Sequence, residues 1–170
     1  MENNSNDTMG KGALWIGGGC LAVFVCVVLA CVAGIGGIVW LTKTPENVDI
    51  SIDAPSQVKA GDEIKFVVTI KNNRADSIEL SGIDVGMNYL NGVLVESVEP
   101  SYESINQYDG FGEEEKYQSY YFHTTIAPGS AASVVFTGTA IAPGDFNGSL
   151  DVCINSDYSC FKNVVRTIVK

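Results

Sequence analysis

Beyond residue 46 the chain alternates apolar and polar residues with a period of two. Val48, Ile50 and Ile52 alternate with Asp49, Ser51 and Asp53, the pattern of a half-buried strand. Ala54-Pro55-Ser56 interrupts it, and Gln57-Val58 before Lys59-Ala60-Gly61-Asp62 reads as a short edge piece and a turn. Ile64, Phe66, Val68 and Ile70 form the next apolar face, with Lys65, Thr69 and Lys71 opposite. A polar turn over 72–76 leads into a third strand region, 78–89, with Gly82 or Gly86 placed for a bulge. Asn91-Gly92 is the strongest short hairpin signal in the chain, and the strand it opens runs over 93–98 to Pro100.

Residues 101–116 have no clear period and read as a long loop, a length that is uncommon unless the segment is functional or mobile. After it, Tyr120, Phe122 and Ile126 mark a core face. Ile126-Ala127-Pro128-Gly129 ends that strand with Pro-Gly at the central positions of a type II turn, and Ile141-Ala142-Pro143-Gly144 repeats that chemistry 15 residues later. Val134 and Phe136 begin a strand between the two turns; Leu150, Val152 and Ile154 form another inward row, and 160–170 the last strand. About eight short strands with regular turn signals and no credible helix predict an Ig-like antiparallel β-sandwich over 47–170, with a closed barrel as the alternative.

The uncharged run over 12–42, between Lys11 and Lys43, has a different pattern. About 20 helical residues cross a hydrocarbon core of roughly 30 Å, so this run predicts one transmembrane helix. Trp15 and Trp40 would lie about 38 Å apart along it, suiting the two interfacial belts. The expected layout is a polar tail over 1–11, the helix over 12–42, a linker over 43–46 and the sandwich over 47–170. Gly18, Ala22, Cys26, Ala30 and Gly34 recur at four-residue spacing, a row that lets a second helix approach closely in self-association. Val28-Leu29-Ala30-Cys31 also loosely resembles a lipoprotein processing box, which leaves retention of the helix or processing at Cys31 both open.

The net charge of −10 repels phosphate backbones and argues against nucleic-acid binding. Cys20, Cys26 and Cys31 read as small packing residues, whereas Cys153 and Cys160 suit a hairpin turning at Ser156-Asp157. That register sets the two cysteines opposite each other with Cα atoms about 4.5–5.5 Å apart, inside the disulfide window. It also sets Val152 opposite Phe161 and Asp151 opposite Lys162, with Cys153 sharing the outward face of Asp151. A disulfide there implies an oxidising compartment, so the N-terminus is expected to be cytoplasmic and the C-terminal domain extracytoplasmic. Zinc is disfavoured, since two cysteines and the distant His123 do not supply four ligands. His123, the single histidine, is expected to point outward beside Tyr121 without an oriented partner, which a general base would need. No cofactor and no catalytic residues are expected.

Two further groups could bind something. Asp109, Glu113, Glu114 and Glu115 are oxygen ligands of the kind calcium takes, without an EF-hand pattern. Tyr102, Tyr108, Phe111, Tyr117 and Tyr121 could stack on sugars or anchor a protein interface, or cover the sandwich's own core. Asn147-Gly148-Ser149 fits a glycosylation acceptor.

The run Ala54-Pro55-Ser56-Gln57-Val58-Lys59-Ala60-Gly61-Asp62, the strand ending at Asn72-Asn73, and the later Pro128-Gly129 turn before a Val/Phe strand resemble bacterial and archaeal Ig-like domains of the CARDB (cell-adhesion-related) type. The resemblance implies a non-catalytic surface module and carries over no binding residues. Together these features predict a membrane-anchored, non-enzymatic adhesion or interaction module of the cell envelope. Its partner would be another envelope protein; the alternative is a carbohydrate- or cell-wall-binding module using the aromatics of 102–121.

Overall fold

Alternation along each strand sends one apolar row inward, and two sheets bury those rows against each other in the computed structural model, which describes residues 44–109 and 116–170. One sheet contains β1 (Val48–Asp53), β3 (Glu63–Asn72), β5 (Val93–Glu99) and β8 (Ala131–Ala140), in the spatial order β1-β3-β8-β5. The other contains β2 (Gln57–Val58), β4 (Ile78–Gly86), β6 (Ser104–Tyr108), β7 (Tyr117–Ile126), β9 (Gly144–Ile154), β10 (Cys160–Phe161) and β11 (Val164–Val169). Its order is β2-β11-β9-β4-β7-β6, with β10 paired to β9. All pairings are antiparallel except β2 with β11.

The inward rows read from the sequence meet in this core. Ile64, Phe66, Val68 and Ile70 of β3 are buried, as are Leu150, Val152 and Ile154 of β9. Phe66 and Phe136 are cross-strand partners whose rings stack at 4.6 Å. Tyr120 from the opposite sheet meets Phe136 edge-on at 5.1 Å, and Tyr89 meets Phe66 edge-on at 5.7 Å. Offset and edge contacts of this kind satisfy the ring quadrupoles while burying large apolar areas.

The expected fold needs correction at several points. The described residues form eleven strands rather than about eight, because β2 and β10 are two residues long and β6 lies within the expected 101–116 loop. A short helix, α1 (Met87–Leu90), ends the third strand region that was expected to continue to Tyr89. Its four residues span about 6 Å, far short of a bilayer. Among the described residues no helix is long and apolar enough to cross a membrane, and the expected helix over 12–42 lies outside them.

Asn91-Gly92 does not turn a hairpin, because β4 and β5 belong to different sheets. Asn91 is right-handed at φ −64°, whereas a type I′ turn needs positive φ at both central residues. Gly92 instead lies beneath Phe146, where a Cβ would come within 2.2 Å of the ring. The two Pro-Gly sites also diverge. Gly129 adopts φ 69° and Ser130 N–H donates to Ala127 O at 3.1 Å, the expected type II turn. Gly144 begins β9 with no positive φ.

By sequence Asn72 belongs to a polar turn, yet it is fully buried at the end of β3. Its Nδ2 donates to Asp76 O at 2.9 Å, Ile126 O at 3.0 Å and Ala127 O at 3.2 Å. One amide thereby ties the β3–β4 connection to the end of β7. Asn72→Ala should lower the unfolding free energy by about 1–3 kcal/mol in urea titration, because it strands buried carbonyls. Asn72→Asp should cost more, since it places acceptors against acceptors; a loss below about 0.5 kcal/mol for both would show that this amide does not join the sheets.

Candidate functional site

The outward face of β7, β4 and β9 brings together groups far apart in the chain. Tyr121, Gly82 and Cys153 lie in one cross-strand row, and Ser119, Asp84 and Asp151 in the next. The register of β4 shifts at Ser81, between Leu80 and Gly82, against both neighbours. The neighbouring strands are irregular at the same level: His123 in β7 has φ 46°, and Asn155 after β9 has φ 63°. Irregularities of this kind re-aim side chains at a sheet's surface.

Cys153 and Cys160 are cross-strand partners joined by a disulfide, with Phe161 opposite Val152, as the spacing predicts. Their Cα atoms are 3.9 Å apart, closer than expected. Two details differ from the expected hairpin. Cys153 is on the outward face but only 2% exposed, while Cys160 is half-buried. The β10 pairing stops at Phe161, one residue short of the expected Asp151–Lys162 pair, and Asp151 Oδ1 accepts from the backbone N–H of Asn163 at 3.3 Å.

Asp84 is the residue that strand periodicity did not single out. It reads in sequence as one outward polar position among many. In the fold its Oδ1 accepts a hydrogen bond from Ser119 Oγ at 2.5 Å, and its Oδ2 lies 3.7 Å from Cys153 Sγ. Asp84, Cys153 and Cys160 each offer one ligand atom, all within 4.8 Å of one another. Burial raises the Asp84 carboxyl to about 6, against the lowering effect of the Ser119 hydrogen bond, and the nearby Asp151 and Asp157 charges add to the rise.

The aromatic residues divide. Tyr108 and Tyr117 are cross-strand partners on β6 and β7, with rings stacked at 5.7 Å. Tyr121 Oη donates to Tyr108 Oη at 3.1 Å, and its ring stacks with His123 at 6.3 Å. Burial and the Tyr108 hydroxyl both push the Tyr121 phenol upward, so it stays neutral at physiological pH. Tyr102 instead meets Tyr120 edge-on at 5.4 Å and helps close the core. Phe111 lies outside the described residues.

His123 is exposed as expected but has a partner, Glu79 Oε1 at 3.0 Å from its Nδ1, and that hydrogen bond raises its pKa. Of the calcium candidates, Asp109 is ion-paired with Lys116 Nζ at 2.7 Å, and Glu113, Glu114 and Glu115 lie outside the described residues. Asn147 is exposed, within β9 rather than in a loop.

No family model matches this sequence, and no curated protein matches it. Solved structures align with about three quarters of this chain at low identity. The C-terminal domain of the Streptococcus pyogenes antigen I/II-family protein AspA aligns with 74% of this chain at 13% identity and TM-score 0.43. A GH20 exo-β-N-acetylglucosaminidase from Vibrio harveyi aligns with 74% at 13% identity and TM-score 0.38. The cupredoxin domain of amoB from Nitrosocaldus yellowstonii aligns with 75% at 10% identity and TM-score 0.45. The chain spans 47%, 18% and 89% of the lengths of these three structures, respectively.

Two predictions concern this face. Replacing Cys153 and Cys160 together by serine should lower the unfolding free energy by roughly 1–3 kcal/mol, because a tight hairpin closes only a short loop; an unchanged denaturation midpoint would contradict a stabilising disulfide. The second concerns pH. Between about pH 4 and 6 the folded domain retains a proton on Asp84 that the unfolded chain releases. Stability therefore falls as pH rises through that window, by an amount on the order of 3 kcal/mol. Asp84→Asn should remove this slope and be more stable than the parent at pH 8. Parallel stability-versus-pH curves for the two proteins would contradict it.

Proposed function

We infer that this domain is a non-enzymatic recognition module that receives an extended segment of a partner protein along β6. The observation that carries this reading is the character of that edge. A sheet edge offers unpaired N–H and C=O groups, and proteins blunt such edges with charge, bulges or brevity. Among the described residues, the strands at the other ends of the two sheet orders, β1, β5 and β2, have such protection. β1 carries the exposed Asp49 and Asp53; β5 has a bulge between Val95 and Ser97 and ends in Glu99; β2 is two residues long. β6 reads Ser-Ile-Asn-Gln-Tyr, with five exposed residues, no charge, and regular pairing to β7. A segment added there gains main-chain hydrogen bonds for affinity and side-chain contacts for specificity. Tyr108, 40% exposed at the end of β6, supplies an aromatic anchor beside that path.

The CARDB-type resemblance supports the same surface-module role, and the disulfide supports an oxidising, extracytoplasmic setting. An envelope protein is the partner class that setting favours. The row Tyr108-Tyr117-Tyr121 supports a second reading, carbohydrate binding by stacking on that outward face.

Photocrosslinking from Gln107 in native cells distinguishes them. Capture of a protein, abolished by Ile105→Lys, is the expected result, because an edge charge blocks strand addition; capture of a second copy of this chain would make the partner itself. Crosslinking indifferent to Ile105→Lys, with retention on cell-wall polysaccharide that Tyr108→Ala abolishes, would overturn the protein reading in favour of the second.

A further inference from the structure

We propose that Asp84, Cys153 and Cys160 form a binding site for a thiophilic divalent cation of the zinc class, closed by the disulfide and opened by its reduction. The sequence lacks a recognisable zinc motif because the third ligand comes from β4, about seventy residues before the cysteines. Zinc takes thiolate sulfur at about 2.3 Å and carboxylate oxygen at about 2.0 Å in a tetrahedral arrangement, which sets a sulfur and an oxygen on one ion about 3.5 Å apart. Asp84 Oδ2 already lies 3.7 Å from Cys153 Sγ. The third ligand atom is within 4.8 Å of both.

The surroundings support the carboxylate as a ligand. Ser119 Oγ holds Asp84 Oδ1, leaving Oδ2 directed toward the sulfur; such an outer hydrogen bond orients a ligand before the metal arrives. Asp151, directly across from Asp84, adds negative charge that favours a cation. Cys153 is buried, whereas Cys160 is half-buried. A reductant and then the ion can therefore reach the site from the Cys160 side, where water would complete a three-ligand site.

Opening the site is a thiol–disulfide exchange. A dithiol gives two electrons and two protons: its thiolate attacks Cys160 Sγ, the Cys153–Cys160 bond breaks, and Cys153 leaves as a thiolate that takes up a proton. The second thiol of the reductant then closes its own disulfide and releases Cys160. When the cation binds, both cysteine thiols lose their protons to solvent and ligate as thiolates.

The test uses the full chain with Cys20, Cys26 and Cys31 replaced by serine, so that the remaining thiols are Cys153 and Cys160. Cobalt(II) is the probe, because thiolate ligation gives a charge-transfer absorption band. After reduction by a phosphine, one cobalt per chain should produce that band, and zinc should displace it; the oxidised protein should give none. Asp84→Asn should weaken affinity by at least about tenfold, and Ser119→Ala, which keeps all three ligands, by about tenfold. Circular dichroism of both oxidised variants checks that they fold. Absence of the band in the reduced folded protein, or a cobalt affinity unchanged by Asp84→Asn, would overturn the proposal.

Discussion

The stacked pair Phe66–Phe136 is the contact on which the sandwich depends. These rings join neighbouring strands of one sheet, and each is met edge-on by a ring from beyond it: Tyr120 on Phe136, Tyr89 on Phe66. Tyr120 fixes β7 against the opposite sheet. Tyr89 fixes α1, and its hydroxyl lies 3.1 Å from Thr167 Oγ1, with the Thr167 hydroxyl also donating to Pro55 O at 2.8 Å. The polar tips of the aromatic core thus reach β11 and the segment before β2, so packing and hydrogen bonding specify the same arrangement.

This packing also shapes the outward face. With Tyr120 held inward, strand alternation turns Ser119 and Tyr121 outward, beside Asp84 and Gly82 of β4. A side chain at Gly82 would meet Tyr120 O at 3.3 Å and the Tyr121 ring at 3.6 Å. Glycine there lets β7 and the Tyr121 ring lie close beside β4. The carboxyl of Asp84 is consequently held half-buried between a hydroxyl and a sulfur. Such burial costs stability, and a position that retains that cost is where function is most reasonably sought.

Legibility in the sequence followed the strength of each physical signal. The inward rows of β3 and β9 were readable because full burial of one face enforces strict alternation. The Cys153–Cys160 register was readable because a short hairpin leaves few alternatives. β6 was missed: an edge strand with five exposed residues has no apolar period to detect. Asn91-Gly92 misled because local turn propensity was overridden by the need to carry the chain between sheets past Phe146. Asp84 was invisible because its partners, Ser119 and Cys153, are contributed by other strands. Asn72 looked like a turn residue for the reason it works as a tie, since its short amide bonds readily to backbone.

An accessible β6 edge is the claim on which the functional account turns, and amide hydrogen exchange measured on the full chain tests it most directly. The account predicts graded protection: slowest exchange in β3, β8, β4 and β7, whose amides lie within the paired interior of the sheets, and much faster exchange at the β6 amides that point away from β7, because among the described residues β6 is paired on that side only. Protection of every β6 amide to the level of β4 would contradict it, because the edge would then already be covered and unavailable to a partner.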